Sequence, residues 1–166
     1  MTFFSSTIPT PVGSLTYLYS KEKEVYAVFF ETQAKHIETY LEKNFASYEV
    51  KALKSGAYDS LFKKYFKGDA DALSQIPVAV TGTKAQIAIW NAVGKIKPGK
   101  VARYKDIAKQ VGNEKAVRSV GSAIGANPVC LIVPCHRVLA SDGSLGGYSA
   151  GLDKKEWLLK HEGVLQ

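Results

Sequence analysis

The sequence predicts a small α/β domain over residues 1–80, followed by a mostly helical domain over residues 81–166. Before residue 31 the apolar residues partly alternate in extended stretches, followed by two helical stretches, and after residue 82 most apolar residues recur at helical spacing. Between the two patterns, residues 67–82 are polar and contain Pro and Gly, which is typical of a domain boundary. Within the second half, two short helices joined by a Gly-Asn turn follow a longer helix, and this is the outline of a helix-turn-helix.

Three strands and two helices are predicted in the first half. The strands are residues 2–9, 14–19 and 24–30, and the helices are residues 33–45 and 60–66. The strands are rich in aromatic and β-branched residues, and a turn containing Pro and Gly at residues 9–13 joins the first two. Helical spacing places Ile37, Tyr40 and Leu41 on one face. We therefore expect a small antiparallel sheet with a helix packed on it.

Four helices are predicted in the second half. They run from Thr83 to the Pro98-Gly99 turn, over residues 104–111, over residues 114–126 and over residues 154–162. Thr83, Asn113 and Asp153 are expected to cap the first, third and fourth of these helices, because their side chains accept hydrogen bonds from free helix amides. In the last helix, Trp157 and Leu158 are expected to face inward.

The positive charge lies in one half of the chain. Residues 1–80 carry 9 Lys and Arg against 9 Asp and Glu, whereas residues 81–166 carry 13 against 6, which accounts for the whole net charge of +7. A basic half beside a neutral half favours a polyanionic partner, most often nucleic acid, although basic surfaces also serve solubility.

Several classes of protein are disfavoured by composition. No run of about 18 apolar residues is present, so no membrane span is expected. The start of the chain lacks a basic region followed by a long apolar one, so no secretion signal is expected. The two cysteines, Cys130 and Cys135, have no zinc-binding spacing. We expect a reduced, cytoplasmic protein without a metal site.

The segment Pro134-Cys135-His136-Arg137-Val138 places a thiol beside an imidazole. A free thiol with a pKa near ~8.5 is only slightly ionised at neutral pH, and a neighbouring His can raise the thiolate fraction. The same pattern also fits a buried Cys followed by a solvated His. The predicted helix 114–126 is open to two interpretations as well. Its many small residues around Arg118 suit either tight helix packing or close approach to a bulky partner.

Four motifs in order resemble the O6-alkylguanine-DNA alkyltransferases, also called methylated-DNA–protein-cysteine methyltransferases. These motifs are Asn127-Pro128, the segment 134–138, Gly147-Tyr148-Ser149, and residues 155–159 with His161-Glu162-Gly163. The resemblance covers roughly residues 82–164. It implies a variable first domain of ribonuclease-H-like form and a second domain of winged helix-turn-helix type that carries the reactive Cys.

The resemblance implies direct DNA repair without a cofactor. Cys135 would irreversibly accept the alkyl group from O6-alkylguanine, and less well from O4-alkylthymine, in duplex DNA. His136 would act as a base through a bridging water, Glu162 would orient His136, and Tyr104 would donate a hydrogen bond to N3 of the base. Such a protein acts once, as a monomer, in the cytoplasm with the nucleoid, or in the nucleus of a eukaryote.

The resemblance also implies how DNA is held. The helix of small residues would enter the minor groove, and Arg118 would replace the flipped base in the stack. The implied DNA contacts are Tyr104, Ala116, Arg118, Ser122, Ala123 and the hinge residue Asn127, and the implied base pocket is Val138, Tyr148, Ser149 and Ala150. The family often has Gly where this chain has Ala150, so we expect a narrower pocket and weaker tolerance of bulky alkyl groups.

Three other functions remain open on the sequence. A helix-turn-helix regulator would need no Cys-His pair with a matching carboxylate. An alkyltransferase-like protein binds the lesion without repairing it and lacks the acceptor, commonly having Trp at that position, whereas this chain has Cys135. A cysteine hydrolase would need an oxyanion hole, for which the sequence offers no pattern. Cys130 is expected to be a core residue and not a second acceptor.

Overall fold

The computed structural model describes all 166 residues, which form two units. The first unit comprises Met1–Thr81 and Pro128–Ile132, and the second comprises Gly82–Asn127 and Val133–Gln166. The chain leaves the first unit close to the expected border at residue 80. It then returns for residues 128–132, which the sequence pattern does not predict.

A four-stranded sheet with the order β3-β2-β1-β4 forms the centre of the first unit. Its strands are β1 (Thr2–Thr10), β2 (Gly13–Tyr19), β3 (Val25–Phe30) and β4 (Glu49–Ala52). The first three pair antiparallel, as predicted, but β4 pairs parallel with β1, so the sheet is mixed. The sequence does not predict β4, because this short edge strand is exposed at every residue and has no apolar alternation.

Helices cover both faces of this sheet. They are α1 (Ala34–Asn44) and α2 (Asp59–Phe66), both within about a residue of their predicted starts. On one face, Ile37 and Leu41 of α1 pack with Phe3 and neighbouring strand residues in the hydrophobic core. On the other face, the Tyr17 ring lies 5.0 Å from the Phe62 ring. Burial on both faces is what stabilises so small a sheet.

Residues 128–132 pair with the edge of β3 through backbone hydrogen bonds. The Val28 amide donates to the Pro128 carbonyl at 2.9 Å, and the Cys130 amide donates to the Val28 carbonyl at 3.0 Å. The chain then turns at Leu131, whose φ of 71° is left-handed and is strained for a branched residue. The apolar run before Cys135 is therefore a short bridge to β3 followed by a sharp turn.

The second unit contains four helices and a two-stranded parallel sheet. The helices are α3 (Lys84–Gly94), α4 (Tyr104–Gln110), α5 (Val117–Gly125) and α6 (Leu152–His161), and the strands are β5 (Ala102–Arg103) and β6 (Val138–Leu139). The Trp90 indole of α3 donates to the Ala123 carbonyl of α5 at 2.8 Å, which fastens the two helices together. The predicted helix-turn-helix outline corresponds to α4 and α5.

Capping differs from the prediction at two of three helices. The Thr83 cap is confirmed, since its hydroxyl accepts from the Gln86 amide at 3.1 Å. The prediction that Asn113 caps α5 is wrong, because α5 begins at Val117. The Asn113 amide instead donates to the Ala108 carbonyl at 2.9 Å, next to Gly112, whose φ of 78° marks the end of α4. The helix α3 also ends at Gly94, before the predicted stop at Pro98.

The start and the surface of α6 require two further corrections. Gly151, with φ 116°, precedes α6, so that Asp153 lies inside the first turn and does not cap it. Leu158 is fully buried, as predicted, but Trp157 is only partly buried. The Trp157 ring stacks on the His161 ring, with 4.7 Å between the ring centroids. The indole therefore has an aromatic partner although it lies outside the core.

Candidate active site

A cavity of about 300 Å³ lies within the second unit. Its lining comprises Tyr104, Gly121, Ile124, Gly125, Cys135, Gly147, Tyr148 and Ser149. These residues come from α4, α5, the turn that begins at Cys135 and the Gly-rich loop before α6. Three of them are glycine and two are tyrosine, so that backbone and the two phenol rings form much of the wall.

Cys135 is held at this wall by two adjoining hydrogen bonds. Its amide donates to the Val133 carbonyl at 2.8 Å, across Pro134. The buried Asn127 side chain donates to the same carbonyl at 2.9 Å, which connects the end of α5 to the segment that carries the thiol. Cys130 is also a buried thiol, but it belongs to the first unit and does not line the cavity. The two cysteines are therefore not equivalent.

His136, Arg137 and Glu162 form a buried polar cluster. The Glu162 carboxylate contacts His136 Nε2 at 2.9 Å and accepts from Arg137 Nε at 2.7 Å and from its terminal nitrogen at 3.0 Å. The other terminal nitrogen of Arg137 donates to the Ile96 carbonyl at 2.7 Å. The side chains of His136 and Glu162 have no exposed surface, and charge-assisted bonds of this kind are among the strong ones. The carboxylate therefore holds the imidazole in one orientation.

His136 is held neutral in this cluster. Burial lowers its pKa, and the charges of Arg137 and Lys155 lower it further, which outweighs the opposing effect of Glu162. A neutral imidazole that donates from Nε2 to Glu162 keeps a lone pair on Nδ1. That Nδ1 atom is buried and has no hydrogen-bond partner within the protein. The ring is thus prepared to accept a proton.

Lys155 is a completely buried cation beside the cavity. Its Nζ donates to the Val138 carbonyl at 2.7 Å and to the Gly147 carbonyl at 3.0 Å, so it ties β6 to the Gly-rich loop. Burial lowers the pKa of Lys155 to about 8, although a thiolate at Cys135 would partly oppose this by favouring the charged form. The same attraction stabilises the thiolate form of Cys135.

Replacing Lys155 by Met should make Cys135 less reactive at neutral pH. Loss of the nearby positive charge removes a stabilising interaction with the thiolate, so the pH midpoint of thiol alkylation by iodoacetamide should move upward. The rate against pH can be measured by mass spectrometry of the Cys135 peptide. Lys160→Met, on the exposed side of the same helix, is the control and should leave the midpoint unchanged. An unchanged midpoint in Lys155→Met would contradict this role for the lysine.

Tyr104 begins α4 and presents its ring to the cavity. A methyl group at Gly121 would lie 3.9 Å from one edge of the ring, and a methyl group at Gly146 would lie 3.0 Å from the other edge. Burial raises the pKa of Tyr104, and a negative charge on the nearby Cys135 would raise it further. The phenol therefore stays protonated and can donate. Gly121 also shows that part of the small-residue pattern of α5 serves packing.

The rest of α5 presents a polar face to solvent. Its exposed residues are Arg118, Ser119, Ser122 and Gly125. Of the other residues expected to contact DNA, Ala116 is partly exposed, whereas Ala123 is 8% exposed and Asn127 3%. Ala123 is buried and its carbonyl accepts from the Trp90 indole, and its expected contact with DNA stays a prediction. Asn127 acts within the protein, on the Val133 carbonyl.

The expected base pocket coincides only in part with the cavity. Tyr148 and Ser149 line it, as does Gly147, which was not expected. Val138 and Ala150 are buried and lie outside the lining, and the Val138 carbonyl accepts from Lys155. The prediction that the Ala150 methyl narrows the pocket therefore depends on the sequence alone.

Comparison with known proteins places this geometry in a family. Residues 84–164 match the family model of the 6-O-methylguanine DNA methyltransferase DNA-binding domain. The chain is 35% identical over 161 residues to the methylated-DNA–protein-cysteine methyltransferase of Shigella flexneri, and the match covers 95% of this chain and 94% of the relative. The chain belongs to the methylated-DNA–protein-cysteine methyltransferase family.

Solved structures of this family share the fold across the chain. The crystal structure of Mycobacterium tuberculosis OGT in complex with DNA is similar with a TM-score of 0.77 and 29% identity, covering 98% of this chain and 94% of the other. The O6-methylguanine-DNA methyltransferase of Pyrococcus kodakaraensis has a TM-score of 0.73 at 25% identity, with 98% and 99% covered. The resemblance inferred from the sequence motifs, and the α/β plus helical architecture, are confirmed.

Two site residues of this family member are missed by reasoning from the sequence. Arg137 lies inside the central motif, yet a role in binding Glu162 is visible only once the two residues meet in space. Lys155 could have been found from the sequence. It precedes the buried Leu158 and Leu159 by three and four residues, so helical spacing places it on the apolar face of α6. A charged residue on the buried face of a helix indicates a specific partner or function.

Two classes of feature are not found in the fold. No group of three or more His, Cys, Asp or Glu side chains is arranged to hold a metal ion. No helix combines the length and the apolar character required to cross a membrane.

Proposed function

We propose that this chain repairs alkylated DNA by direct reversal, taking the alkyl group from O6 of guanine, and less well from O4 of thymine, onto Cys135. The observation that carries the proposal is a thiol at the wall of a cavity, with a buried His-carboxylate pair following it in the chain. A C–S bond forms, the O6–C bond breaks, and guanine gains the proton that the thiol loses. Water does not cleave the thioether, so each protein molecule acts once. The alkyl group passes directly from oxygen to sulfur, and the transfer needs no cofactor.

We assign the proton transfers to three residues. His136 removes the thiol proton through a bridging water, and its buried Nδ1, without a partner within the protein, supports this assignment. Glu162 orients His136, supported by the 2.9 Å contact with Nε2. Tyr104 donates to N3 of the departing guanine, supported by its place in the cavity wall and its raised pKa. A donor at this point offsets the negative charge that develops on the base.

The backbone around the cavity would recognise the base itself. The Cys135 carbonyl and, from outside the cavity lining, the Val138 carbonyl would accept from the guanine amino group. The Ser149 amide would donate to O6, with Tyr148 along the wall. The Val138 carbonyl already accepts from Lys155, but a carbonyl oxygen has two lone pairs and can accept again.

Duplex DNA is the proposed partner, with the exposed face of α5 in the minor groove. The target base must leave the stack to reach a buried thiol, and Arg118 would fill the gap. A minor-groove contact suits damage found in any sequence, because its base pattern is degenerate. The surplus of basic residues in this half of the chain supports the contact with phosphates. We expect a monomer that works in the cytoplasm.

We assign the first unit to the ribonuclease-H-like form and the second to the winged helix-turn-helix type. The mixed sheet with helices on both faces supports the first assignment. In the second unit, α4 and α5 would be the helix pair, and the β5-β6 pair would be a small wing.

The direct test is transfer of a labelled methyl group from O6-methylguanine in duplex DNA. We expect one label per protein molecule at excess DNA, with no turnover, and an adduct on the Cys135 peptide by mass spectrometry. Label on Cys130, or more than one label per molecule, would contradict the proposal. A protein that binds the lesion but takes up no label would instead be an alkyltransferase-like protein or a helix-turn-helix protein without acceptor activity, the alternatives considered on the sequence.

A further inference from the structure

The backbone of Arg103 is fixed at the start of α4. Arg103 is the last residue of β5, where it pairs with Leu139 of β6, and its amide donates to the Asp106 carboxylate at 2.9 Å. The next residue is Tyr104, which lines the cavity. Because strand pairing and this hydrogen bond hold the backbone, the exposed side chain of Arg103 extends from a fixed point beside the cavity wall.

The side chain of Arg103 holds the turn at residues 140–144, which follows β6. One terminal nitrogen of the guanidinium donates to the Ser141 carbonyl at 3.0 Å. The other terminal nitrogen lies near Gly143, where an added methyl group would stand 3.6 Å from it. The guanidinium therefore reaches two points of this turn and ties it to the start of α4.

Hydrogen bonds within the turn make it one rigid piece. The Ala140 amide donates to the Ser144 carbonyl at 3.0 Å, and the Gly143 amide donates to the Ala140 carbonyl at 2.9 Å. The Asp142 carboxylate accepts from the Ser144 amide at 3.0 Å and from the Ser144 hydroxyl at 2.7 Å. A single bond at the Ser141 carbonyl therefore holds the whole turn in place.

The chain meets Tyr104 two residues after this turn. A methyl group added at Gly146 would stand 3.4 Å from the Ala140 amide nitrogen, 3.0 Å from ring carbon Cε2 of Tyr104 and 3.3 Å from its hydroxyl oxygen. Gly146 has φ 72°, in the left-handed region, where glycine is unstrained. Gly146 thus lies between the turn and the phenol, and residues 147–149 continue from it along the cavity wall.

We infer that Arg103 is a positioning residue that sets the width of the cavity between Tyr104 and residues 147–149, and so the size of the alkyl group that the protein accepts. The inference rests on the proposed function, in which this wall surrounds the flipped base. Arg103 lies outside the cavity lining, so it acts through the turn. While the turn is held, Gly146 stays close to the phenol, and the wall fits a methyl group better than a bulky one.

A contact between an exposed arginine and a DNA phosphate would have a different effect. Phosphate contacts position the protein on any duplex, whatever alkyl group the duplex carries. Such a contact cancels in the ratio of two transfer rates that are measured at saturating protein on duplexes differing only in the alkyl group. A change in the width of the cavity alters that ratio, so the ratio is the quantity to measure.

The test is Arg103→Met, which removes the donor and keeps the length of the side chain. Single-turnover transfer is measured with duplexes carrying O6-methylguanine or O6-benzylguanine. We expect about fivefold slower methyl transfer, the effect of losing one hydrogen bond that holds the wall. Benzyl transfer should be no slower than in the unaltered protein, because a wider cavity gives the ring room. The ratio of the benzyl rate to the methyl rate should therefore rise at least about fivefold. An unchanged ratio would overturn the inference.

Two variants separate the loop contact from the loss of a charge. Arg103→Lys keeps a charged donor on a long side chain and should hold the ratio within about twofold of the wild-type value. Lys105→Met removes an exposed cation two residues further along α4 and should leave the ratio unchanged. Equal increases in Lys105→Met and Arg103→Met would overturn the inference, since loss of charge would then account for both. Failure of the unaltered protein to take up either alkyl group would refute the proposed function instead.

Discussion

Cys135→Ser should abolish methyl transfer and leave binding to duplex DNA intact. An alcohol ionises far less readily than a thiol and is a poorer nucleophile towards alkyl carbon, so His136 has no comparable anion to generate. Removal of a nucleophile in other enzymes suggests a loss of at least about 10⁴-fold. The hydroxyl fits the space of the thiol, and the proposed DNA-binding side chains lie on the exposed face of α5. Binding should therefore change less than twofold.

Transfer and binding can be measured on the same duplex. Single-turnover uptake of labelled methyl reports the reaction, and a fluorescence titration at fixed salt reports binding, since salt alters contacts with phosphates. Cys130→Ala is the matched control, because Cys130 is buried in the first unit and lies outside the cavity lining. It should keep the transfer rate at a temperature where the variant stays folded. Uptake of methyl by Cys135→Ser would show that another residue accepts the group.

Glu162→Gln should destabilise the fold and slow transfer together. The change keeps the shape but removes the charge that Arg137 and His136 contact, and both partners are buried. Leaving a buried charge without its partner costs about 3–5 kcal/mol. The new amide can also donate to His136 Nε2, which would move the ring proton to Nδ1 and remove the base. The corresponding tautomer change in a serine-protease triad lowers kcat about 10⁴-fold. We expect at least about a 10²-fold slower transfer here, since a thiol depends less on its base than an alcohol does.

Glu156→Gln is the control for this substitution. Glu156 makes the same class of contact on α6, at 3.2 Å from Lys160, but both side chains are about half exposed. Exposed pairs of this kind contribute about 0–1 kcal/mol. Urea unfolding of both variants gives the stability difference, and transfer is then measured where each variant is fully folded. Equal losses of stability in the two variants would show that the buried cluster has no special role.

The sequence predicts best where a contact lies within a short segment or a distinctive motif. Cys135 and His136 are adjacent in one distinctive motif, and the contact of His136 with Glu162, 26 residues away, was expected only because the motifs around both residues resemble a known family. The three strands of the first half alternate or are rich in aromatic residues, and their bounds are correct within about one residue. The cap at Thr83 depends on Gln86 alone, three residues away.

Prediction fails where the deciding partner is distant in the chain. The side chain of Arg137 meets Glu162 and Ile96, 25 and 41 residues away, and no local pattern indicates either contact. Ala123 belongs to a helix of small residues, and no local pattern indicates that its carbonyl accepts from Trp90, 33 residues away. Likewise, β4 exists because β1 offers it an edge to pair with, and its own residues carry little preference.

The bridge between residues 128–132 and β3 means that the two halves of this protein are not interchangeable pieces. A fragment starting at Gly82 would contain Val129, Cys130 and Leu131 but not Val28, so an apolar strip buried in the whole chain would face water. Such a strip with free backbone groups promotes aggregation. Exchange of the first half for another α/β unit, in the laboratory or in evolution, must therefore preserve a strand edge for these residues. The border near residue 81 divides the chain into two units, but a chain divided at this border would lose the pairing of residues 128–132 with β3.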